Sequence, residues 1–439
     1  MFPTQGGLPE PARIAHGLRF LALGLALTVT SVASAGAPGP EAEPEATTSA
    51  PELEAAPAPD IPVMSNSMPR ALEPARPAPA PRPILNPAAR LLMDDDASEA
   101  WTLYLELESG HRITQRFLLT NAGPGEHSAV AVGHLTEPGR APYRYENGRR
   151  RPRWTLSDDR LFFDIAASHL DLHRPKGELR ITKDDIEIRM FFDFAERSPS
   201  AAVPAAVLPR DYHVEVLAIG APTRGTILAP WMSTPVETRG RAWLVHTWSS
   251  RDEADLINRR IDVFGYEKER AFFGVHLTSN GDWQSGWRIA RGDDDQIVES
   301  PINVDESWNP IDARLRSKQS YPVPSGWSLS GREASGQITL GSEWLRFDPL
   351  EVIPQPFRWF IQRSSKPQEV WANARIGGSL LLAPEPPSLP RSGASTNARR
   401  VTESAREERE SEIETGLLED SGGVTGVASI TFLNPMSRR

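Results

Sequence analysis

The sequence of 439 residues lacks cysteine altogether. A chain without cysteine has no disulfide framework, thiolate-ligated zinc, iron–sulfur centre or cysteine nucleophile. Basic residues are also outnumbered, because the formal net charge is −10 and the pI is near 5.5. Since nucleic-acid-binding domains are normally basic, we expect no nucleic-acid partner.

Motifs of several enzyme classes are missing as well. No G-x-S-x-G elbow and no Gly-rich phosphate loop is present, which argues against an α/β-hydrolase and against phosphate cradling of that type. His169, Asp171 and His173 would share one strand face, but no second group of ligands completes a metal site, so a solvated face is the favoured interpretation. We therefore predict neither a cofactor nor a bound metal.

The first 35 residues have the three parts of a secretory signal peptide. Arg13 and Arg19 precede an apolar stretch at residues 20–32, and residues 33–35 form a small-x-small cleavage site. The alternative is a transmembrane anchor, but the apolar stretch is shorter than the ~20 residues that span a bilayer. We predict cleavage after Ala35 and export to the periplasm or the extracellular space, with no membrane span in the mature chain.

Composition separates one folded region from two flanks. All 12 tryptophans lie between Trp101 and Trp371, whereas residues 36–98 contain no aromatic residue and are rich in Ala and Pro. Such a segment cannot bury enough apolar surface to fold, so we predict a disordered spacer. The alternative is a stalk that crosses the cell wall or binds a partner. Residues 385–423 form a low-complexity charged tail.

Alternating apolar residues predict β-structure between these flanks. From Trp101 to Leu107 every second residue is apolar and large, and Ser109 and Gly110 then make a turn into a returning strand. Short strands separated by turn residues are typical of β-sandwiches and barrels. Helical patterns are scarce, and residues 251–259 are the best candidate.

We predict an all-β protein with two tandem antiparallel barrels. The first barrel is predicted at residues 99–228 and the second at residues 229–384, with loops near residues 199–209 and 221–230 between strand groups. Residues 424–439 regain β character and could return to the second barrel as a final strand.

Three segments carry a family resemblance. Residues 243–250 spell Trp-Leu-Val-His-Thr-Trp-Ser-Ser after Gly240, residues 321–327 spell Tyr-Pro-Val-Pro-Ser-Gly-Trp, and residues 370–378 begin with Val-Trp. These segments resemble motifs of the AttH and carotenoid 1,2-hydratase group, which is similar to the survival-factor-like proteins. The resemblance implies that both barrels are lipocalin-like.

The same resemblance implies a pocket but puts the chemistry in doubt. The hydratases are thought to use an acidic residue in the first segment to protonate an alkene, and that role needs a carboxylic acid held protonated beside an apolar substrate. This chain has Val245 at that position, and Thr247 at another position that is often acidic or polar. His246 remains as a polar residue of the motif.

His246 and five tryptophans are the predicted site residues. His246 could donate a proton or anchor a ligand by a hydrogen bond, because histidine titrates near neutrality. The predicted ligand-binding residues are Trp243, Trp248, Trp283, Trp287 and Trp327. For all six residues the alternative is ordinary core packing, which commonly uses large aromatic side chains.

From these features we predict an exported double-barrel protein that binds a hydrophobic or amphiphilic molecule, such as a lipid or polyene, without hydratase chemistry. The first alternative is a hydratase or hydrolase of an apolar substrate, with Asp252, Glu253 or Asp255 as a substitute acid. The second is a non-catalytic structural or interaction protein of the cell envelope. Its barrels would be filled by their own side chains, and its Pro-rich spacer would contact a partner.

Overall fold

The computed structural model describes residues 85–121, 127–149, 153–194, 200–279, 283–292, 295–307, 321–332, 334–349, 351, 367–381 and 424–433. The predicted signal peptide, the spacer up to residue 84 and the charged tail at residues 385–423 lie outside these ranges. Within the described ranges, no helix has the length and apolar character needed to cross a membrane.

The first part of the described chain forms one antiparallel sheet of twelve strands. They are β1 (Ser98–Leu107), β2 (Arg112–Thr120), β3 (Ser128–Thr136), β4 (Tyr143–Arg149), β5 (Thr155–Leu156), β6 (Phe162–Ile165), β7 (Ser168–Asp171), β8 (Lys176–Lys183), β9 (Ile186–Asp193), β10 (Ala201–Ala202), β11 (Tyr212–Leu228) and β12 (Val236–Ser249). The order across the sheet is β4-β3-β2-β1-β12-β11-β9-β8-β7-β6-β5, and β10 pairs with β11. The first and last strands of this part therefore meet at its centre, where β1 pairs with β12.

This sheet curls around its own apolar core. The alternating residues of β1 from Trp101 to Leu107 belong to the core, as the sequence pattern predicts, together with Phe117 and Phe163. The two ends of the sheet approach each other, since Asn147 Nδ2 donates a hydrogen bond to Ser168 Oγ at 2.9 Å. The curled sheet is the first of the two barrels.

β11 runs through most of the loop predicted at residues 221–230. Gly220 adopts a φ of +58°, and the register of β11 against β12 shifts between Val216 and Ala221. A bulge of this kind bends a strand without ending it, and glycine tolerates the positive φ that it needs. The loop prediction was wrong because Gly220 and Pro222 mark a bulge inside one long strand.

The second part forms a closed antiparallel barrel of eight strands. They are β13 (Arg259–Glu267), β14 (Arg270–Thr278), β15 (Gln284–Arg291), β16 (Ile297–Ser307), β17 (Gly326–Ser330), β18 (Ser335–Phe347), β19 (Gln368–Gly378) and β20 (Val424–Phe432). β20 occupies the stretch where β character returns in the sequence, and it closes the barrel by pairing with both β13 and β19. The all-β architecture of two tandem lipocalin-like barrels is thereby confirmed.

Two boundaries lie elsewhere than the sequence pattern predicts. β12 pairs with β1 and β11, so the chain passes from the first sheet to the second barrel between Ser249 and Arg259, and not at residue 228. The folded body also includes residues 85–97, although composition predicts a spacer up to residue 98. Leu85, Ala89 and Leu91 pack against the first core and bury apolar surface that the Pro-rich sequence before them lacks.

Helix is scarce among the described residues. The helix predicted at residues 251–259 is a single turn, α1 (Glu253–Leu256), because Ile257 is already extended. The Asp252 side chain caps this turn by accepting a hydrogen bond from Ala254 N. One turn of 3₁₀ helix, Ala205–Val207, lies within the loop predicted at residues 199–209.

An apolar cluster joins the two barrels. Tyr104 and Trp243, on the outer face of the first sheet, pack against Phe264 and Trp371 of the second barrel. The ring of Tyr104 lies 5.1–5.6 Å from the other three rings, measured between centroids. Because large aromatic side chains bury much apolar area, this cluster holds the barrels together as one body.

Candidate functional site

His246 lies on β12 and points into the first barrel. Its register partner on β1 is Trp101, and the two rings stack with centroids 4.5 Å apart and planes inclined by 12°. The His246 side chain is fully buried, and its Nε2 lies 2.8 Å from Oε1 of Glu99. Since Glu99 is buried as well, the two residues form a histidine–carboxylate pair shielded from water.

A second carboxylate lies on the other side of the imidazole. Glu215 is the register partner of His246 on β11, and its Oε2 lies 3.6 Å from Nδ1 of His246, too far for a hydrogen bond. Both atoms are buried, and neither has a hydrogen-bond partner. A buried polar atom left without a partner costs about 1–3 kcal/mol. This end of the first barrel therefore has unused hydrogen-bonding capacity.

The segment before β1 covers the histidine–carboxylate pair, and we call residues 85–92 the strap. The backbone amides of Arg90 and Leu91 donate hydrogen bonds to the carboxylate of Glu99, at 2.8–3.2 Å. Trp101 Nε1 donates to the carbonyl oxygen of Pro87 at 3.0 Å. The strap is therefore fixed by the same two residues, Glu99 and Trp101, that contact His246.

Trp248 forms the rim of this end of the barrel. Its ring stacks on His213, with centroids 4.8 Å apart and planes inclined by 8°, and its centroid lies 4.8 Å from that of His246. The Arg90 guanidinium lies over the same ring, 4.6 Å from the centroid, and 3.5 Å from Glu215 Oε1. The structure thus brings together two of the predicted site residues, His246 and Trp248.

Val245 and Trp243 point the other way, into the apolar cluster between the barrels. Both are buried there, and Trp243 Nε1 donates a hydrogen bond to Phe272 O at 3.2 Å. Because side chains alternate along β12, Val245 faces the inter-barrel cluster while His246 faces the first barrel. Val245 is a packing residue of that cluster.

The second barrel contains a small, partly open cavity of about 20 Å³. Apolar side chains make up most of its wall, and the two polar ones are His276 and Trp327. The lining residues are Ile261, Val263, Phe272, Gly274, Val275, His276, Ile302, Val304, Trp327, Leu329 and Ile338. This volume is enough for about one water molecule. A larger ligand can enter the cavity only if the side chains that line it move.

The polar groups of the cavity wall have few hydrogen-bond partners: Trp327 Nε1 has none, and His276 has only the Gln284 side chain. Both ring nitrogens of His276 and the Trp327 Nε1 atom are buried. Burial lowers the pKa of His276 to about 4; the charge of Arg259 acts in the same direction, and the Gln284 side chain offsets part of the fall. The imidazole is therefore neutral at pH 7 and offers one donor and one acceptor.

An ion pair lies beside these groups. Arg259 pairs with Glu306, which stands opposite Trp327 in the register of β16 and β17. Arg259 is only 2% exposed, so its charge is screened by Glu306 more than by water. His276, Trp327 and the ion pair together make one end of the barrel polar.

The polar end of the second barrel is also where two long connections join its strands. The connections from β16 to β17 and from β18 to β19 meet this end, as does the turn from β14 to β15. Trp283 lies in that turn and is 36% exposed. Of the predicted tryptophans, Trp283 and Trp327 therefore lie at this end, whereas Trp287 packs on the outside against the inter-barrel cluster.

The predicted substitute acids have other contacts. Glu253 accepts a hydrogen bond from Tyr212 OH at 2.7 Å, and Asp252 caps α1. Asp255 is exposed on the same turn. The carboxylates beside His246 are Glu99 and Glu215 instead.

Sequence reasoning missed Glu99, Glu215 and His276. One signal was available for Glu99, which lies two residues before Trp101 and therefore on the same strand face. No local signal was available for Glu215 and His276, because their importance depends on the register of strands that are distant in sequence.

His169 on β7 and His173 just after it lie beside carboxylates. His173 contacts Asp171 and Asp159 at 2.5 and 2.6 Å, and His169 lies 3.5 Å from Asp164. In the part of the chain that the structure describes, no group of three or more His, Asp or Glu side chains is arranged to hold a metal ion.

Comparison with solved structures finds likeness in fold. A candidate AttH protein from Nitrosomonas europaea is similar over 83% of this chain and 100% of its own, with a TM-score of 0.51 and 11% identity. Kievitone hydratase from Nectria haematococca is similar over 79% and 93% of the two chains, with a TM-score of 0.46 and 10% identity. For CghA with Sch210972 the shares are 78% and 89%, the TM-score 0.49 and the identity 9%.

No family model matches the chain, and no curated protein matches its sequence. At 11% identity, the likeness to the Nitrosomonas europaea protein shows the fold alone. The chain has the two-barrel fold of that protein.

Proposed function

We propose that this protein binds an apolar small molecule that carries a hydroxyl or carbonyl group, inside its second barrel. The observation that supports this function is the buried Trp327 Nε1, which lacks a hydrogen-bond partner, beside the neutral His276 on an otherwise apolar cavity wall. Ligand pockets are typically apolar, with a few convergent polar groups that fix the orientation of the ligand. Closed barrels of eight strands can hold one small ligand of this kind.

The polar groups favour an uncharged ligand head. Trp327 Nε1 can only donate, whereas the neutral His276 can donate with one nitrogen and accept with the other. A hydroxyl group matches both residues, and a carbonyl oxygen matches the donors. Because Glu306 already pairs with Arg259, a carboxylate head would lose its hydration and would have to compete with Glu306 for that cation.

Binding requires the cavity to widen. Phe272 and Trp327 are the largest side chains of the wall, and their movement would release the most space. The Phe272 ring packs over Gly274, where a Cβ would lie 2.9 Å from Phe272 Cζ. A ligand would therefore take the place of this ring and satisfy His276 and Trp327 at the polar end.

Fluorescence titration of the purified chain with retinol, an apolar probe with a terminal hydroxyl, tests this function. We expect saturable energy transfer from tryptophan to retinol, with weaker binding of retinoic acid. His276→Phe should weaken retinol binding about tenfold, the equivalent of one hydrogen bond. His134→Phe is the matched control, because His134 is a buried histidine of the inter-barrel face whose pKa is likewise lowered, to about 3, mainly by burial.

Three results would count against ligand binding in the second barrel. They are no saturable binding of retinol, equal loss in His276→Phe and His134→Phe, and tighter binding of retinoic acid than of retinol. The first of them would favour the structural role in the cell envelope.

A second candidate function is proton transfer in the first barrel. The 2.8 Å contact between Glu99 and His246 favours it, because a carboxylate can orient an imidazole for general acid–base catalysis. Incubation with an acyclic polyene in ¹⁸O-labelled water, followed by mass spectrometry, would reveal labelled alcohol. We expect Glu99→Gln and His246→Gln to abolish the formation of labelled alcohol. If the unaltered chain forms no labelled alcohol, this function is contradicted.

We further propose export, with cleavage after Ala35 and with residues 36–84 as a spacer that reaches an envelope partner. The n-region, apolar stretch and small-residue site of the first 35 residues support it. N-terminal sequencing of the protein recovered from periplasm or medium should begin at Gly36. Recovery of the intact N-terminus in the membrane fraction would contradict cleavage.

A further inference from the structure

We propose that the end of the first barrel beside His246 is a binding site for a guanidinium-bearing small molecule, and that Arg90 of the strap occupies it in the free protein. The site lies in a different barrel from the apolar cavity and does not depend on ligand binding there. Its walls are the Glu215 carboxylate, the Trp248 ring and the His246–Glu99 pair.

These walls have the chemistry that recognises a guanidinium. A carboxylate accepts two parallel hydrogen bonds from the planar cation, and the face of a tryptophan ring attracts it electrostatically. Glu215 has a side chain that is only 13% exposed, so water competes weakly for it. Trp248 is held in position by its stack on His213. The site is therefore preformed.

Arg90 fits the site incompletely. Its nearest guanidinium nitrogen lies 3.5 Å from Glu215 Oε1, longer than the 2.7–2.9 Å of a good charge-assisted hydrogen bond. Arg90 Nε, Glu215 Oε2 and His246 Nδ1 are all buried without a hydrogen-bond partner. A free guanidinium is not tethered to the strap backbone and can turn to pair with both oxygens of Glu215. Such a ligand gains contacts that Arg90 does not make.

The ligand can reach the site while the strap stays in place. The Arg90 side chain is 33% exposed, so it can rotate into solvent. The strap itself is held by its backbone, through the amides of Arg90 and Leu91 on Glu99 and through Ala89 N, which donates to Arg160 O at 3.1 Å. Displacement of one side chain is therefore enough to open the site.

Chemical rescue of R90A with methylguanidinium chloride tests the site. Thermal unfolding of the full chain is followed by circular dichroism at rising methylguanidinium concentrations. We expect a saturable rise in the Tm of R90A, with half-saturation on the order of 1–10 mM, as suits so small a ligand. The unaltered chain should respond at least tenfold more weakly, because Arg90 competes for its site. The double variant R90A/E215Q should not respond.

Control additives and a second variant separate specific binding of methylguanidinium from general effects on stability. Methylurea has the shape of the probe without its charge, and sodium chloride supplies the same ionic strength, so neither should stabilise R90A. If R90A does not fold, R90Q replaces it, since glutamine keeps part of the aliphatic stem. No saturable rescue, equal rescue of R90A and R90A/E215Q, or equal rescue by methylurea would overturn the site. Equal rescue by methylammonium would overturn its selectivity for guanidinium.

Discussion

Neighbouring residues on β12 point to different regions of the molecule, either the cluster between the barrels or the interior of the first barrel. Val245 enters the cluster between the barrels, and the next residue, His246, enters the first barrel beside Glu99. The alternation of a strand makes these two environments exclusive, so an acid at position 245 could not act on a substrate in the first barrel.

Val245→Asp is expected to lower the free energy of unfolding by about 3 kcal/mol or more, because an unpaired carboxylate would be buried among aromatic rings. Urea unfolding measures the change. Val245→Ala is the control for lost volume and should cost about 2 kcal/mol or less. Equal stability of the two variants would show that the side chain at position 245 is more accessible to water than the packing of its neighbours indicates.

His173 makes part of the stability pH-dependent. Hydrogen bonds that His173 donates to Asp171 and then to Asp159 raise the pKa of His173, and bonds that Ser157 and then His173 donate lower the pKa of Asp159 to about 2. The contribution of His173 is complete below its unfolded pKa of about 6.5 and is lost as the pH rises through the folded pKa. That of Asp159 is complete above about pH 3.8 and is lost as the pH falls towards 2.

His173→Gln should therefore destabilise the protein most between about pH 4 and 6 and least at alkaline pH. Unfolding free energies measured across this range check the expectation, with His169→Gln on β7 as the comparison, because its carboxylate contact is longer, at 3.5 Å. A loss that does not vary with pH would contradict the assigned ion pairs.

At the scale of elements, local sequence patterns identify the strands better than they identify which strands pair with each other. The alternation in β1 and the turn at Gly110 are local, so the first hairpin could be predicted from the sequence. β11 could not, because Gly220 and Pro222 resemble a loop unless the bulge is known. Neither could the pairing of β1 with β12, which sets Glu99 beside His246 across a long stretch of chain.

β20 is the element whose removal should have the largest effect. It hydrogen-bonds to β13 and β19 and buries Val427, Ile430 and Phe432. Truncation after Gly423 would expose two strand edges and open the barrel, so we expect increased binding of the dye ANS and aggregation. Truncation after Leu433 is the control and should leave both properties unchanged. A barrel that stays cooperative and ANS-negative without β20 would contradict its closing role.

At the scale of the whole molecule, the aromatic cluster between the barrels makes them one body. Trp243→Ala should cost about 3–5 kcal/mol, because it removes a fully buried ring from this cluster. Trp283→Ala is the matched control at an exposed position and should change stability by no more than about 0.5 kcal/mol. Urea unfolding followed by tryptophan fluorescence compares the two variants. If Trp243→Ala unfolds at the same urea concentration as the unaltered chain, other contacts hold the barrels together.

The central claim for the whole molecule is that the polar end of the second barrel receives the polar group of an apolar ligand. The most direct test is the ¹H–¹⁵N spectrum of the tryptophan indoles with and without retinol, with the Trp327 signal identified by its loss in Trp327→Phe. We expect the Trp327 Nε1–H signal to move downfield at saturation, because it gains a hydrogen-bond acceptor that it lacks in the free protein. Saturable retinol binding that leaves this signal in place would contradict the claim.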